Sequence, residues 1–154
     1  MKIVKATLGD FERLQGLFRE FSARLAESAP EYYREAYQDF SLFTGIVEHK
    51  DAEILIAEED GVPVGTVTLW ICERPLSPHI KPQRALQLSY FIAESERARD
   101  ALLTEAEKTA MAHGASILKI SLHRNDTEEQ NVYTGIGFEP EITYYTKEIN
   151  YDRT

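Results

Sequence analysis

Cysteine is almost absent from the sequence: Cys72 is the one cysteine among 154 residues. A single cysteine cannot form a disulfide within the chain, and this scarcity favours a reducing compartment. No apolar run approaches the roughly 20 residues that a membrane span needs, and the N-terminal residues lack the hydrophobic stretch of a signal peptide. We therefore expect a cytoplasmic protein with no membrane partner.

Basic residues are also in short supply. The 17 Lys and Arg residues are outnumbered by 26 Asp and Glu, which gives a formal net charge of −9. An acidic surface repels phosphate backbones, so we expect no nucleic-acid partner, and it mildly favours a cationic or amine substrate. The length and the hydrophobic content of 43% fit one globular domain, residues 1–154.

Two common kinds of catalytic motif are missing. None of the four histidines (His49, His79, His113 and His123) has a partner at the spacing of a metal site, so we expect no metal. No Gly-x-Ser-x-Gly segment is present, so serine hydrolase chemistry has no support.

The first third of the sequence predicts a strand and two helices. Residues 3–6 are typical of a short strand. Thr7, followed three positions later by Asp10, resembles a capping box, and the apolar residues that follow at spacings of three and four predict an amphipathic helix. Pro30 ends this helix, and residues 31–48 predict a second helical region.

The rest of the sequence predicts a hairpin and then alternating strands and helices. Asp60 and Gly61 supply the hairpin turn, the three prolines of residues 74–83 predict a loop, and Ser95 is a plausible helix cap. The predicted strands are 53–57, 64–72, 85–93, 117–122 and 142–149, and the predicted helices are 96–113 and 127–135. The fold class is therefore α/β: a three-layer α/β/α sandwich with a mixed, mostly antiparallel sheet and one right-handed parallel β-α-β crossover.

Four segments, in this order, resemble the GNAT N-acetyltransferase family over nearly the whole chain. They are IVKATLGDFERLQGLF, AEEDGVPVGTVTLW, ALLTEAEKTAMAHGA and VYTGIGFEP. The resemblance implies a GNAT-like acyl-CoA N-acyltransferase fold. It also implies that acetyl-CoA is the co-substrate, and that a primary amine of a small molecule or peptide attacks its thioester directly, without a metal.

The resemblance also implies roles for individual residues. Acetyl-CoA would lie between predicted strands 85–93 and 117–122, where the pantetheine pairs with backbone groups as an added strand would. Tyr133 matches the tyrosine that commonly acts as the general acid in the family. A phenol suits this role because it keeps its proton at neutral pH. The residues implied to contact the cofactor are Tyr90, Phe91, Ile92, Asn125 and Asn131. Glu73, which follows the central strand, is a candidate general base.

The sequence departs from the family where the pyrophosphate should bind. Family members have glycines before this helix, but residues 93–100 contain none, and Arg97 and Arg99 occupy the expected positions. The two arginines are candidate phosphate ligands through their guanidinium groups. Alternatively, Glu94 and Glu96 satisfy the helix dipole themselves and oppose a phosphate. The second possibility predicts a non-catalytic GNAT-like binding or regulatory module that has lost acetyl-CoA binding.

Several aromatic residues have two interpretations. Tyr32, Tyr33 and Tyr37 belong either to a substrate pocket or to the core and its rim. His123 is a candidate for a minor role at the site because it ends a strand that would line the cofactor gap. Relatives with this fold pair through sheet edges or C-terminal strands, and the tyrosine-rich C-terminal segment therefore suggests a homodimer.

Overall fold

A mixed five-stranded sheet forms the centre of the domain in the computed structural model, which describes residues 1–74 and 78–151. The strands of this described part are β1 (Lys2–Lys5), β2 (Ala52–Glu59), β3 (Val62–Arg74), β4 (Gln83–Ala93) and β5 (Ile117–Ile120). Their order in the sheet follows the chain. The first four strands pair antiparallel, whereas β5 runs parallel to β4. The predicted mixed sheet with one parallel crossover is confirmed.

Helices cover both faces of this sheet. They are α1 (Phe11–Ser28), α2 (Phe40–Val47), α3 (Glu96–Ala112) and α4 (Thr127–Gly135), and a 3₁₀ turn (Leu8–Asp10) precedes α1. One apolar core forms between the sheet and α3, and a second lies between the sheet and the pair α1 and α2. The predicted α/β layering is therefore confirmed.

Alternation along the central strands supplies both cores. Leu55 of β2 and Val67 of β3 are buried on the α3 side, whereas Ile54 and Ile56 of β2 are buried on the opposite side. Successive side chains of a strand point to opposite faces, so the near-continuous apolar run of β2 serves two layers. Trp70 of β3 packs at the edge of the second core, where its ring centroid lies 5.1 Å from that of His49.

The predicted hairpin turn and helix caps are present. Asp60 and Gly61 have φ of 51° and 76°, the left-handed conformation that a two-residue turn between β2 and β3 requires. At the start of α3, the Ser95 side chain accepts a hydrogen bond from the Ala98 N–H at 3.1 Å. These elements were predictable because their signals are local.

The second predicted helix was wrong over its first half. Residues 30–39 are not helical, and α2 begins only at Phe40. The Asp39 carboxylate accepts a hydrogen bond from the Leu42 N–H at 2.7 Å and so caps the helix there. The Ala36 N–H instead donates to the Ser22 hydroxyl of α1 at 2.7 Å. A tertiary contact to α1 therefore replaces a helical hydrogen bond in the segment before α2.

The predicted closing strand, residues 142–149, was also wrong: this stretch forms no strand in the structure. Its large side chains are exposed, with Tyr145 at 94% and Ile149 at 70%. The segment does not pair with β5, the last strand of the sheet, which has β4 as its neighbour on one side and an open edge on the other. Other boundaries moved less: β3 extends to Arg74 and β5 ends at Ile120. Residues 75–77 of the predicted loop lie outside the described residues.

None of the helices in the described part of the chain is both long and apolar enough to cross a bilayer.

Candidate active site

A bulge in β4 separates the end of that strand from β5. Thr66 of β3 pairs with Ile92, but Thr68 pairs with Ser89, so Val67 lies opposite two residues of β4. The extra residue is accommodated at Tyr90, whose φ is +47°. A bulge bends the strand that carries it, and the parallel pairing of β4 with β5 ends at Leu88 and Ile120. Beyond this point the two strands are no longer paired.

A cavity of about 320 Å³ occupies the opening between these strands. Its walls come from β4, from the end of β5 and the loop after it, from α1, from the segment after α1, and from α4. The lining residues are Phe21, Arg24, Leu25, Tyr33, Gln87, Leu88, Ser89, Tyr90, Phe91, Ile120, Ser121, Leu122, His123, Asp126, Glu129 and Tyr133. The volume and the largely apolar lining are typical of a small-molecule site.

Tyr133 lies in the wall of this cavity on α4 and is only 4% exposed. Its ring packs against those of Phe91 and Phe138, with centroid distances of 6.1 and 5.4 Å. Burial, reinforced by the nearby charge of Glu129, raises the pKa of the Tyr133 phenol well above its usual range. The hydroxyl therefore keeps its proton at neutral pH and can act as a proton donor.

An ion pair crosses the cavity from α1 to α4. Arg24 Nη2 lies 2.9 Å from Glu129 Oε1. Asp126 also lines the cavity, and no ion pair to its carboxylate occurs within the described residues. Sequence reasoning missed all three residues. Arg24 and Glu129 are 105 positions apart, and no local pattern indicates that they meet.

An aromatic group forms the wall near the start of α4. The Tyr32 ring lies 4.8 Å from that of Tyr33 and 5.2 Å from that of His123, measured between centroids. Burial, with smaller effects of Tyr32 and Asp126, raises the pKa of Tyr33. Tyr33 and His123 line the cavity, whereas Tyr37 is 79% exposed and is not part of the lining.

The predicted pantetheine-binding residues divide into two groups. Tyr90 and Phe91 line the cavity, and their backbone lies beyond the last β4–β5 pair. Ile92 is 2% exposed, pairs with Thr66 of β3 and does not line the cavity.

Three other predicted site residues lie outside the cavity. Asn125 is exposed and its side-chain amide donates to Glu31 Oε1 at 3.0 Å, while Asn131 is exposed on α4. Glu73 forms an ion pair with Arg84 near the opposite end of the β3–β4 ladder, five paired positions beyond Thr68 and Ser89. The structure therefore does not bring Glu73 together with Tyr133.

The first turn of α3 contains the two predicted phosphate ligands. Arg97 pairs with Glu59 of β2 at 3.6 Å, and Arg99 lies 4.0 Å from Glu96. The Arg97 side chain is 71% exposed, whereas Arg99 is 21% exposed and its buried Nε has no hydrogen-bond partner. The helix cap is the Ser95 hydroxyl rather than either glutamate.

Across residues 1–74 and 78–151, no three His, Cys, Asp or Glu side chains lie close enough together to hold a metal ion.

The profile of the acetyltransferase (GNAT) family matches residues 14–138. This match includes most of the sheet, α1 to α4 and Tyr133. The chain belongs to the GNAT acetyltransferase family. No curated protein matches the sequence significantly.

Solved structures share the fold at low sequence identity. A tetramutant of the BH1408 protein from Bacillus halodurans has a TM-score of 0.87 and 13% identity, over 97% of this chain and 100% of that chain. A ribosomal-protein-alanine N-acetyltransferase from Brucella melitensis biovar Abortus has a TM-score of 0.67 and 18% identity, over 97% and 100%. An aminoglycoside N-acetyltransferase in complex with CoA has a TM-score of 0.68 and 16% identity, over 96% and 100%.

The buried phenol predicts a change in alkaline stability. Tyrosine in the unfolded chain ionises near pH 10, while folded Tyr133 stays neutral because its pKa is raised. Its stabilising contribution is therefore complete below about pH 10 and is lost as the pH rises further. We expect the free energy of unfolding of the wild type to fall by up to about 1.4 kcal/mol per pH unit more steeply than that of Tyr133→Phe.

Urea denaturation between about pH 8 and 11 measures this difference. Tyr145→Phe is the matched control, because Tyr145 is 94% exposed and its side chain is outside the core. Parallel declines for the wild type and Tyr133→Phe would contradict the burial argument.

Proposed function

We propose that the protein is an acetyl-CoA-dependent N-acetyltransferase that modifies a primary amine of a small molecule or peptide. The observation that carries the proposal is the cavity at the β4–β5 opening, with the proton-bearing Tyr133 in its wall. Family membership supports acetyl transfer. Two structural neighbours are aminoglycoside acetyltransferases, one of them in complex with CoA, and they support a small-molecule amine as acceptor.

The residues at the thioester end fit acetyl-CoA, which when bound would supply an activated acetyl group. The backbone of Tyr90 and Phe91 has no ladder partner on β5, so it can bind an extended chain lying between the strands. Apolar side chains in the walls, among them Leu88 and Ile120, exclude water from this region. Exclusion of water strengthens the polar interactions that remain.

In this proposal Tyr133 is the general acid. It holds a proton on its phenolic oxygen at neutral pH and donates it to the sulfur as the thiolate leaves. We leave Glu73 out of the mechanism because it is paired with Arg84 outside the cavity. Asn125 and Asn131 are likewise left out, since neither lines the cavity.

At the phosphate end, binding depends on side chains. The Ala98 N–H is already bonded to Ser95, so the first turn of α3 offers fewer free amides than an uncapped helix. The Arg97–Glu59 pair is exposed, and exposed pairs are weak. Arg97 can therefore exchange Glu59 for a phosphate at little cost, and Arg99 lies one helical turn beyond Ser95.

The same turn supports an alternative function. Glu94 and Glu96 add negative charge beside the capped helix end, which opposes a pyrophosphate. If these carboxylates repel the pyrophosphate and the arginines do not bind it, the chain is a non-catalytic GNAT-like binding or regulatory module. Binding of acetyl-CoA separates the two functions.

We expect acetyl-CoA to stabilise the wild type in a thermal-shift measurement. At 100 times its dissociation constant the ligand should add about 2.7 kcal/mol to the free energy of unfolding. The double variant Arg97→Ala and Arg99→Ala should lose most of this stabilisation. Arg19→Ala with Lys50→Ala is the charge-matched control, because both residues are exposed and lie outside α3. No shift at millimolar acetyl-CoA would contradict the enzymatic proposal and favour the alternative.

We expect Tyr133→Phe to slow turnover without weakening acetyl-CoA binding. Loss of a general acid typically costs a factor of about 10² or more in kcat, whereas the ring that packs on Phe91 and Phe138 is retained. Free CoA released with an amine acceptor measures turnover, and calorimetry measures affinity. Tyr145→Phe is again the control. Unchanged turnover would remove Tyr133 from the mechanism.

We also propose a homodimer through the C-terminal segment, residues 139–151. This segment is exposed and forms no helix or strand, and Tyr144, Tyr145 and Tyr151 are each more than 80% exposed. The outer edge of β5 lacks a strand within the described sheet. Each copy thus offers both an exposed segment without secondary structure and an open sheet edge, and a two-fold exchange of segments brings the two together.

Light scattering at micromolar concentration should give the mass of a dimer. Deleting residues 141–154 should give a monomer, because it removes the exchanged segment. Tyr37→Asp is the control, since Tyr37 is similarly exposed but lies far along the chain from this segment. A monomer mass for the full-length chain would contradict the proposal.

A further inference from the structure

Asp126 holds a carboxylate that the protein itself does not use. It is the N-cap residue of α4, yet its side chain makes no capping hydrogen bond. An N-cap aspartate normally accepts a bond from the first turn, which is worth about 1 kcal/mol. Asp126 instead lines the cavity, and no ion pair to it occurs in the described residues. A partly buried carboxylate without a partner favours a cation.

The charges around Asp126 leave its carboxylate free to bind a cation. Arg24, the guanidinium in the cavity wall, is paired with Glu129 at 2.9 Å. The acidic residues Glu128 and Glu129 in the first turn of α4 offset the positive end of the helix dipole. The net charge of this part of the cavity is therefore negative.

Aromatic rings surround the same position. Tyr33 and His123 line the cavity beside Asp126, with their ring centroids 5.8 Å apart. The backbone N–H of Asn125 donates to His123 Nδ1 at 3.1 Å, which orients the imidazole ring next to Asp126. Aromatic faces beside a carboxylate bind ammonium groups through cation–π attraction.

The spacing along α4 separates this position from Tyr133. Asp126 and Tyr133 are seven residues apart, which is two helical turns on one face, or about 10 Å along the axis. An amine must be uncharged when it attacks an acyl group, so the reacting nitrogen near Tyr133 is not the cation at Asp126. A short dibasic chain places one nitrogen at each end of this interval.

We propose that Asp126, with Tyr33 and His123, forms a subsite for the second, cationic nitrogen of a dibasic amine. The assignment of the other nitrogen as the acetyl acceptor rests on the proposed function, but binding at the subsite does not require acetyl-CoA. A monoamine that occupies the subsite has no second nitrogen to accept acetyl, so the subsite selects aliphatic diamines as acetyl acceptors over monoamines of the same length.

Calorimetry at neutral pH, without acetyl-CoA, tests the subsite with three probes of equal chain length. They are 1,5-diaminopentane, n-pentylamine and 1,5-pentanediol. We expect the wild type to bind the diamine and the monoamine, each of which carries an ammonium group, about 10-fold or more tightly than the diol. One charged contact of about 1.4 kcal/mol corresponds to this ratio.

Asp126→Asn should bring the affinity for both amines down to that for the diol. Glu128→Gln is the matched control, because Glu128 lies in the same turn of α4 but is exposed and outside the cavity. It should keep the preference for the amines. Equal binding of diamine and diol by the wild type, or an unchanged preference for the amines in Asp126→Asn, overturns the proposal. If Asp126→Asn does not fold, the three probes on the wild type still decide.

Failure of this subsite and failure of the proposed function give different results. Tighter binding of the amines than of the diol without any acetyl transfer would contradict the enzyme and leave the subsite in place. Acetyl transfer to n-pentylamine and 1,5-diaminopentane with equal kcat/KM, together with equal binding of diamine and diol, would leave the enzyme in place and remove the subsite.

Discussion

The mismatch in register between β3 and β4 is the constraint on which the candidate site depends. It places Tyr90 at a φ of +47°, a conformation that costs a residue other than glycine about 1–3 kcal/mol. Packing of the Tyr90 ring against Phe21 at 5.6 Å and Phe18 at 6.3 Å offsets this cost. Gly65 supports the same region, because a Cβ there would lie 3.1 Å from the Ile92 carbonyl oxygen. Without the bulge, β4 would stay paired with β5 and no cavity would form.

Much of the fold was predictable from the sequence where signals are local. The Asp60–Gly61 turn and the Ser95 cap depend on neighbours in the chain, and both were confirmed. The predictions for residues 31–39 and 142–149 were wrong, because the conformations of these segments depend on distant groups. The first segment is held by the Ser22 hydroxyl of α1, and the second has no strand partner in the described chain.

The candidate site was harder to predict from the sequence than the fold. Tyr133 was singled out through its family segment, and it lies in the cavity wall. Asp126 was not singled out from the sequence, and only the structure reveals that this residue precedes α4 without a capping hydrogen bond from its carboxylate. Arg24 and Glu129 come together only when α1 and α4 are packed across the sheet end. Charge pairs of this kind leave no pattern in a single sequence.

The position of Trp70 makes it an intrinsic fluorescence probe for one known part of the molecule. It is the one tryptophan of the sequence, it packs in the core beneath α1 and α2, and its neighbour is the His49 ring. It does not line the cavity. Its fluorescence therefore follows the integrity of that half of the molecule. Trp70 pairs with Gln87 of β4, which lines the cavity, so a ligand bound there would lie one strand away from the fluorophore.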